Sequence, residues 1–230
     1  MIKVENIEVW GFEHAIRGMR NPMNSWDKSD SLFEGKNILK EDVIKKGTLL
    51  TGIGKNDLDL MRKLYKAGPE HRKYLRQIFV SFDITAPLYW WKEFDTYKVG
   101  TVANSCSTMH KITESPFWLE HFSYEHLEGN LDDINTPYGL LSHTIDILND
   151  LRCEYFQLRD NNERPEFIKS KWWQIIQLLP SSYNQRRTIT MNYENAITII
   201  KQRTGHKLDE WNEFVRILDS LPYMHEIMEE

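Results

Sequence analysis

Cysteine is scarce in this chain. Cys106 and Cys153 are the only two in 230 residues, too few for a disulfide framework or a cysteine zinc site, and they suit a compartment that keeps thiols reduced. Long apolar runs are missing. No uninterrupted stretch approaches the ~18 residues that a membrane-spanning helix needs, so no membrane partner is expected. The opening MIKVENIEVWGF lacks the basic start and apolar run of a secretory signal. A cytoplasmic protein is the expectation. Charge of one sign is also in short supply: the net charge is -5, with no general pull toward nucleic acid or acidic membranes, so no nucleic-acid partner is expected. No internal repeat or low-complexity segment is visible, which excludes a solenoid.

Aromatic residues are plentiful, with 8 Trp, 10 Tyr and 10 Phe. They suit a stiff core, or surfaces on which rings stack. Hydrophobic content of 40% and charged content of 27% are those of an ordinary globular chain. The length allows one domain with a real core or two small ones; a single domain over 1–230 is expected.

Residues 2–10, IKVENIEVW, alternate apolar and polar and predict a strand with a bulge near Asn6. Residues 12–20 predict a short helix, stopped by Asn21-Pro22. The polar stretch NPMNSWDKSDSLFEGKN predicts a long loop, solvated or facing a ligand through Asn24, Ser25 and Trp26. Residues 40–46 suggest a helical turn. A helix is expected from 54 to 67, capped by Asn56 or Asp57, with Leu58, Met61, Leu64 and Tyr65 on one face. Residues 77–84, QIFVSFDI, have the period of a strand. Ala86-Pro87 opens a helix predicted to end at Gly100, followed by a loop over 101–111. Partial helix is expected over 116–128. A long helix spans 136–160, its stripe running through Leu141, Ile145, Leu148 and then Cys153 or Phe156. A further helix runs from Pro165 to Pro180, a strand over 187–192, and helices over 192–203 and 207–219. The fold class is α+β.

Two blocks carry the functional signal: HRKYLRQIFVSFDITAPLYWWKEFDTYKVGTVANSCSTMHK at 71–111 and LLPSSYNQRRTITMNYENAITIIKQRTGHKLDEWNEFVR at 178–216. HRKYLRQIFVSF with Ala86-Pro87 keeps one register. Leu179-Pro180 precedes a strand ending in Thr190 and Asn192. Arg203 follows eleven positions on, then a His-containing turn and a helix with Glu210-Trp211. Over residues 56–220 this pattern resembles the flavin-dependent thymidylate synthases, the ThyX family. The resemblance implies a ThyX-like fold, an antiparallel or mixed sheet flanked by helices.

The family signature, R-H-R-x-x-S-x-N-E-x-S-x-R-Y, is degraded. Counting from Ala86-Pro87, its Arg-His-Arg falls on Thr96, Tyr97 and Lys98, its first serine on Thr101 and its Asn-Glu pair on Ala103 and Asn104. Its second serine falls on Cys106 and its last arginine on Thr108. The segment keeps length and hydroxyls but loses its arginine forks, which threonine cannot replace against a phosphate. The resemblance implies cofactor contacts at His71, Lys98, Asn104 and Asn192, and substrate contacts at Arg203 and Cys106, with Arg186 supplying charge nearby. Plainer readings stand beside these: Asn192 as a helix N-cap, Arg203 as a solvated helix end, Arg186 and Arg187 as exposed strand charges, Cys106 as an unreactive loop residue with only His110 near it as a base. His121, Glu125 and His126 lack the spacing of a metal site, and no metal is expected.

Three functions are compatible with this pattern. The first is a divergent flavin-dependent thymidylate synthase that binds FAD and a dUMP-like pyrimidine deoxynucleotide, with a folate as one-carbon donor. The second is an enzyme of this fold with a changed nucleotide or one-carbon product. The third is a catalytically inactive ThyX-fold protein that binds a nucleotide or a protein partner. The resemblance also implies a homotetramer, with Lys98 and Asn104 of one chain meeting Asn192 of another.

Overall fold

The computed structural model describes residues 2–34 and 49–229. The first strand, β1 (Lys3–Trp10), contains the expected irregularity: Asn6 takes φ 52° and donates through Nδ2 to Asp83 Oδ2 at 2.8 Å. Gly11, at φ 98°, then turns the chain into α1 (Phe12–Arg20). A Cβ at Gly11 would lie 2.0 Å from the Gln77 carbonyl oxygen, so only glycine fits there. Short 3-10 turns follow at Asn21–Met23 and Trp26–Lys28. Strands β2 (Leu32–Glu34) and β3 (Leu49–Gly52) pair antiparallel with a bulge between Leu32 and Phe33. The helical turn expected over 40–46 lies outside the described residues.

Helix α2 (Lys55–Lys66) is capped by a different residue from the one the sequence suggests. Gly54 holds the N-cap position, and the Asp30 carboxylate accepts the backbone N–H of Asn56 and of Asp57, at 2.9 and 3.2 Å. Asp57 is instead fully buried, for a reason given below. β4 (Phe79–Pro87) buries Val80, Phe82 and Ile84 on one face, as its period-two pattern requires. α3 (Leu88–Phe94) stops well short of Gly100. Its buried face is spent after Trp90, Trp91 and Phe94, and Asp95 onward forms a turn. The loop expected after Gly100 begins as a strand, β5 (Thr101–Ser105).

The helix expected within 116–128 is only a 3-10 turn, Leu119–His121, followed by a bridge between Phe122 and Tyr183. α4 (Pro137–Asp160) begins at Thr136, whose hydroxyl accepts the Gly139 N–H at 3.1 Å. Its buried stripe continues from Leu148 to Leu151, whereas Cys153 is exposed. α5 (Pro165–Leu178), β6 (Asn184–Asn192), α6 (Tyr193–Arg203), α7 (Asp209–Asp219) and α8 (Met224–Met228) complete the order. The last of these is too short to read from periodicity. The sheet is antiparallel in the order β1-β4-β6-β5, flanked by helices.

The chain divides into two compact units. One takes Ile84–Thr96 and Asn104–Thr188. Its core joins Ile112, Phe117 and Phe122 to the inward faces of α4 and α5, through Leu141, Ile145, Leu148, Leu151 and Ile175. The other takes Val4–Asp83, Tyr97–Ala103 and the chain from Ile189 onward. Here Phe82 meets Phe214 edge-on at 5.6 Å, and Phe12 meets Tyr193 at 5.6 Å. The Tyr193 hydroxyl donates to the Pro222 carbonyl at 2.9 Å, which satisfies the polar end of a buried ring.

Candidate functional site

The turn at 95–100 is fastened along α6. At the N-terminal end of the helix, Asn192 is the N-cap: its side-chain oxygen accepts the Asn195 N–H at 3.0 Å. Asn195 Nδ2 donates to the Val99 carbonyl at 2.7 Å and to Thr101 Oγ1 at 3.1 Å. Gly100, at φ 76°, makes this approach possible; a Cβ there would stand 2.9 Å from Nδ2 of both asparagines. At the C-terminal end, the Tyr97 hydroxyl donates to Gln202 Oε1 at 3.0 Å and accepts Arg203 Nε–H at 2.8 Å. Lys98, between the two anchors, is exposed.

Arg203 is half-buried rather than a solvated helix end. Its guanidinium lies over the Trp211 ring at 4.4 Å and the Tyr97 ring at 5.5 Å, and His206 Nε2 stands 3.2 Å from its Nη1. His206 Nδ1 accepts the Leu208 N–H at 3.1 Å, which fixes the ring. At these distances the guanidinium makes cation–π contacts with both rings. Next to the Asn192 cap, Glu194 receives Arg72 at 3.1 Å and also Arg76. Burial works against the Glu194 charge, but these two arginines hold its carboxyl below the usual range.

His71 is exposed and lines a cavity of about 570 Å³. The walls include Met19, Met23, Leu64 and Tyr74, with Asn21, Ser25 and Lys73 as polar points. One wall is the stretch that reads as a long loop, and a buried ion pair fixes it. Arg20 Nε donates to Asp57 at 2.6 Å, and its terminal nitrogens donate to the Ser25 and Lys28 carbonyls at 3.1 and 3.0 Å. The hydroxyls of Ser29 and Ser31, and the backbone N–H of Asp30 and Ser31, all reach Asp57 Oδ2. Burial would raise the Asp57 carboxyl; the Ser31, Ser29 and Arg20 hydrogen bonds and the Arg20 charge outweigh it and hold it below the ordinary value. Of the ligand-facing trio suggested by the sequence, Ser25 lines the cavity. Asn24 takes a left-handed turn conformation, and Trp26 bonds Asn21.

The other unit carries Asn104, Cys106 and Arg186. Asn104 is exposed on β5. The Cys106 N–H donates to the Arg186 carbonyl at 2.9 Å, and its own carbonyl accepts Gln185 Nε2 at 2.8 Å. Its thiol is exposed. Tyr183 is pushed up by burial and then by the Cys106 charge. Arg187 is not the exposed strand charge the sequence suggests. It bonds Asp95 at 2.8 Å and Gln185 at 3.0 Å and lies 4.2 Å over Trp91. Among the described residues, no three side chains gather as metal ligands.

No protein-family model matches the chain, and no curated protein does so at a significant level. Solved structures do. The Helicobacter pylori thymidylate synthase ThyX, crystallised with FAD and dUMP, matches at a TM-score of 0.62 and 17% identity, over 100% of this chain and 98% of the other. The Streptomyces cacaoi UMP/dUMP methylase PolB, bound with 5-Br UMP, matches at 0.57 and 14% identity, over 99% and 93%. The fold is that of ThyX. At these identities the likeness is one of fold, and it runs the whole length of both chains.

The cavity at His71 is lined by both apolar and charged side chains, Glu70 and Lys73 among them. Its volume lies within the ~300–1,000 Å³ usual for small-molecule sites. Sequence reasoning did not find Tyr97, His206 and Trp211 as the setting of Arg203. The reading of Asn192 as a helix N-cap is what the structure shows. Nothing local links Tyr97 to a residue 106 positions away.

Proposed function

We propose that this chain is a divergent flavin-dependent thymidylate synthase-like protein. It binds FAD and a dUMP-like pyrimidine deoxynucleotide and transfers one carbon to the base, with a folate as donor. The observation that carries this reading is the full-length likeness in fold to enzymes whose crystals hold FAD with dUMP, or a uridine monophosphate analogue. Arg203, with its plane fixed on Trp211, is the anchor for the nucleotide phosphate. Arg186 adds charge, and Cys106 lies at the base. His71, Lys98, Asn104 and Asn192 face the cofactor. Bound FAD supplies the hydride chemistry, and the protein holds and orients the ring and phosphate. As in a shared-site assembly, the working form is a homotetramer.

One observation favours a second reading, a nucleotide-binding protein without flavin chemistry. The segment that carries arginines in the family carries Thr96, Tyr97 and Thr108 here and is fastened to α6. The experiment is the absorbance of the purified protein in the flavin region, before and after FAD and then dUMP. A flavin band that shifts on adding dUMP supports the synthase-like reading. A colourless protein that rejects FAD but binds dUMP selects the second, and one that binds neither removes both.

A further inference from the structure

We propose that Arg72 and Arg76, pinned on Glu194, form an anion site for a phosphate group. The proposal does not rest on the nucleotide reading of Arg203. Its residues all lie in the unit that holds α2 and α6. The two arginines sit at the start and near the end of a short 3-10 turn, Lys73–Gln77. Tyr74 and Leu75 between them are buried, and the Tyr74 hydroxyl donates to the Met61 carbonyl at 2.9 Å, so the backbone under the pair is fixed. Both guanidinium groups meet one carboxylate. Arg72 Nε donates to Glu194 Oε1 at 3.1 Å, and Arg76 Nε donates to Oε2. Each engages through Nε alone. The terminal nitrogens of both have no hydrogen-bond partner among the described residues, and none of those of Arg72 is sealed from solvent. Arg216 shows the ordinary alternative, with Nε and Nη2 both spent on its own partner Glu213, at 3.0 and 2.6 Å.

One carboxylate balances one guanidinium, so the second charge is surplus. Arg72 carries it in a side chain only 22% exposed, 5.8 Å from the centre of the Tyr65 ring. Lys201, two turns along α6 from Glu194, lies over the same ring at 5.0 Å and adds a third cation. Like charges this close repel, and a charge short of both water and a partner is costly. A phosphate group offsets that cost. It brings up to two negative charges, and its oxygens accept from the terminal nitrogens of both arginines. Because Glu194 holds the two side chains in place beforehand, less freedom is lost when the anion arrives.

The test uses the full chain and inorganic phosphate, titrated against chloride at constant ionic strength. The readout is the Nε–H signals of Arg72 and Arg76 by NMR, each assigned by its loss in the Arg→Lys variant. Both signals are expected to shift saturably with phosphate. Arg76→Gln, followed at Arg72, should weaken phosphate binding about fivefold or more. Arg216→Gln removes the same charge from a fully paired arginine and should change it by less than about twofold. Wild-type signals that do not respond to phosphate overturn the site, whatever the variants do. Equal weakening by Arg76→Gln and Arg216→Gln overturns it too, because overall charge alone would then explain the binding. Titration with FAD and with dUMP identifies the source of the phosphate: saturation at lower concentration than inorganic phosphate assigns a dinucleotide diphosphate or a monoester, and failure of both assigns free phosphate. A protein that rejects FAD and dUMP but binds phosphate here loses the synthase-like reading and keeps this site.

Discussion

Asp57 holds a buried ion pair together with two serine hydroxyls. It is fully buried and accepts from Arg20, Ser29 and Ser31 together. Asp57→Asn leaves the Arg20 charge uncompensated in the interior and is expected to destabilise by about 3–5 kcal/mol in urea unfolding. The pH dependence has a definite sign. A carboxyl held below its unfolded pKa contributes stability that is fully present above that value and is lost as pH falls through the folded one. The gap between wild type and Asp57→Asn should therefore be constant near neutral pH and close below about pH 4. A gap that persists at the acid end would mean the carboxylate is not charged in the native state. Gly100→Ala meets a left-handed φ and two asparagine amides at 2.9 Å. It should cost about 1–2 kcal/mol from the backbone alone, measured by urea unfolding.

Helices α4 and α5 test how far periodicity can be read. The sequence placed the stripe of α4 at Leu141, Ile145 and Leu148, and all three are buried. It then continued to Cys153 or Phe156, where the structure continues to Leu151. The core ends there because α5 contributes its single fully buried residue, Ile175, opposite that stretch. Leu148→Ala is expected to cost about 2–5 kcal/mol and Cys153→Ser less than about 0.5 kcal/mol, both measured by denaturant midpoint. Elements with a full turn or more of amphipathic pattern were legible: α1, α2, β4, α4 to α7. Those set by distant partners were not. α3 ends early because its Trp90, Trp91 and Phe94 face is used up, and β5 pairs with β6 through Cys106 and Arg186, a partner no local pattern names. At the candidate site, the N-cap reading of Asn192 was legible from the sequence, whereas Tyr97 and Asp57 acquire their contacts from residues brought to them by the fold.

For the whole molecule, the likeness to solved structures is one of fold. The chain follows ThyX over 98% of that enzyme's length at 17% identity, because a fold needs only patterning and volume, whereas phosphate forks need particular side chains. Ligand stabilisation measures what remains. If dUMP binds the native state alone, a hundredfold excess over Kd adds about 2.7 kcal/mol, seen as a rise in Tm that Arg203→Lys should largely abolish. A rise that survives this substitution would move the nucleotide anchor elsewhere, with Arg186 the next candidate.

The Arg20 clamp has a consequence for proteolysis. By composition, residues 21–31 look like a stretch that trypsin would open at Arg20 or Lys28. Yet trypsin must draw the arginine side chain into its own pocket, and here that side chain is buried and committed to Asp57, Ser25 and Lys28. Cleavage after Arg20 must wait for the clamp to open, so its rate reports the opening equilibrium rather than the accessibility of the peptide bond. The native chain should resist nicking there, and Asp57→Asn should be cut early at this bond, ahead of global unfolding.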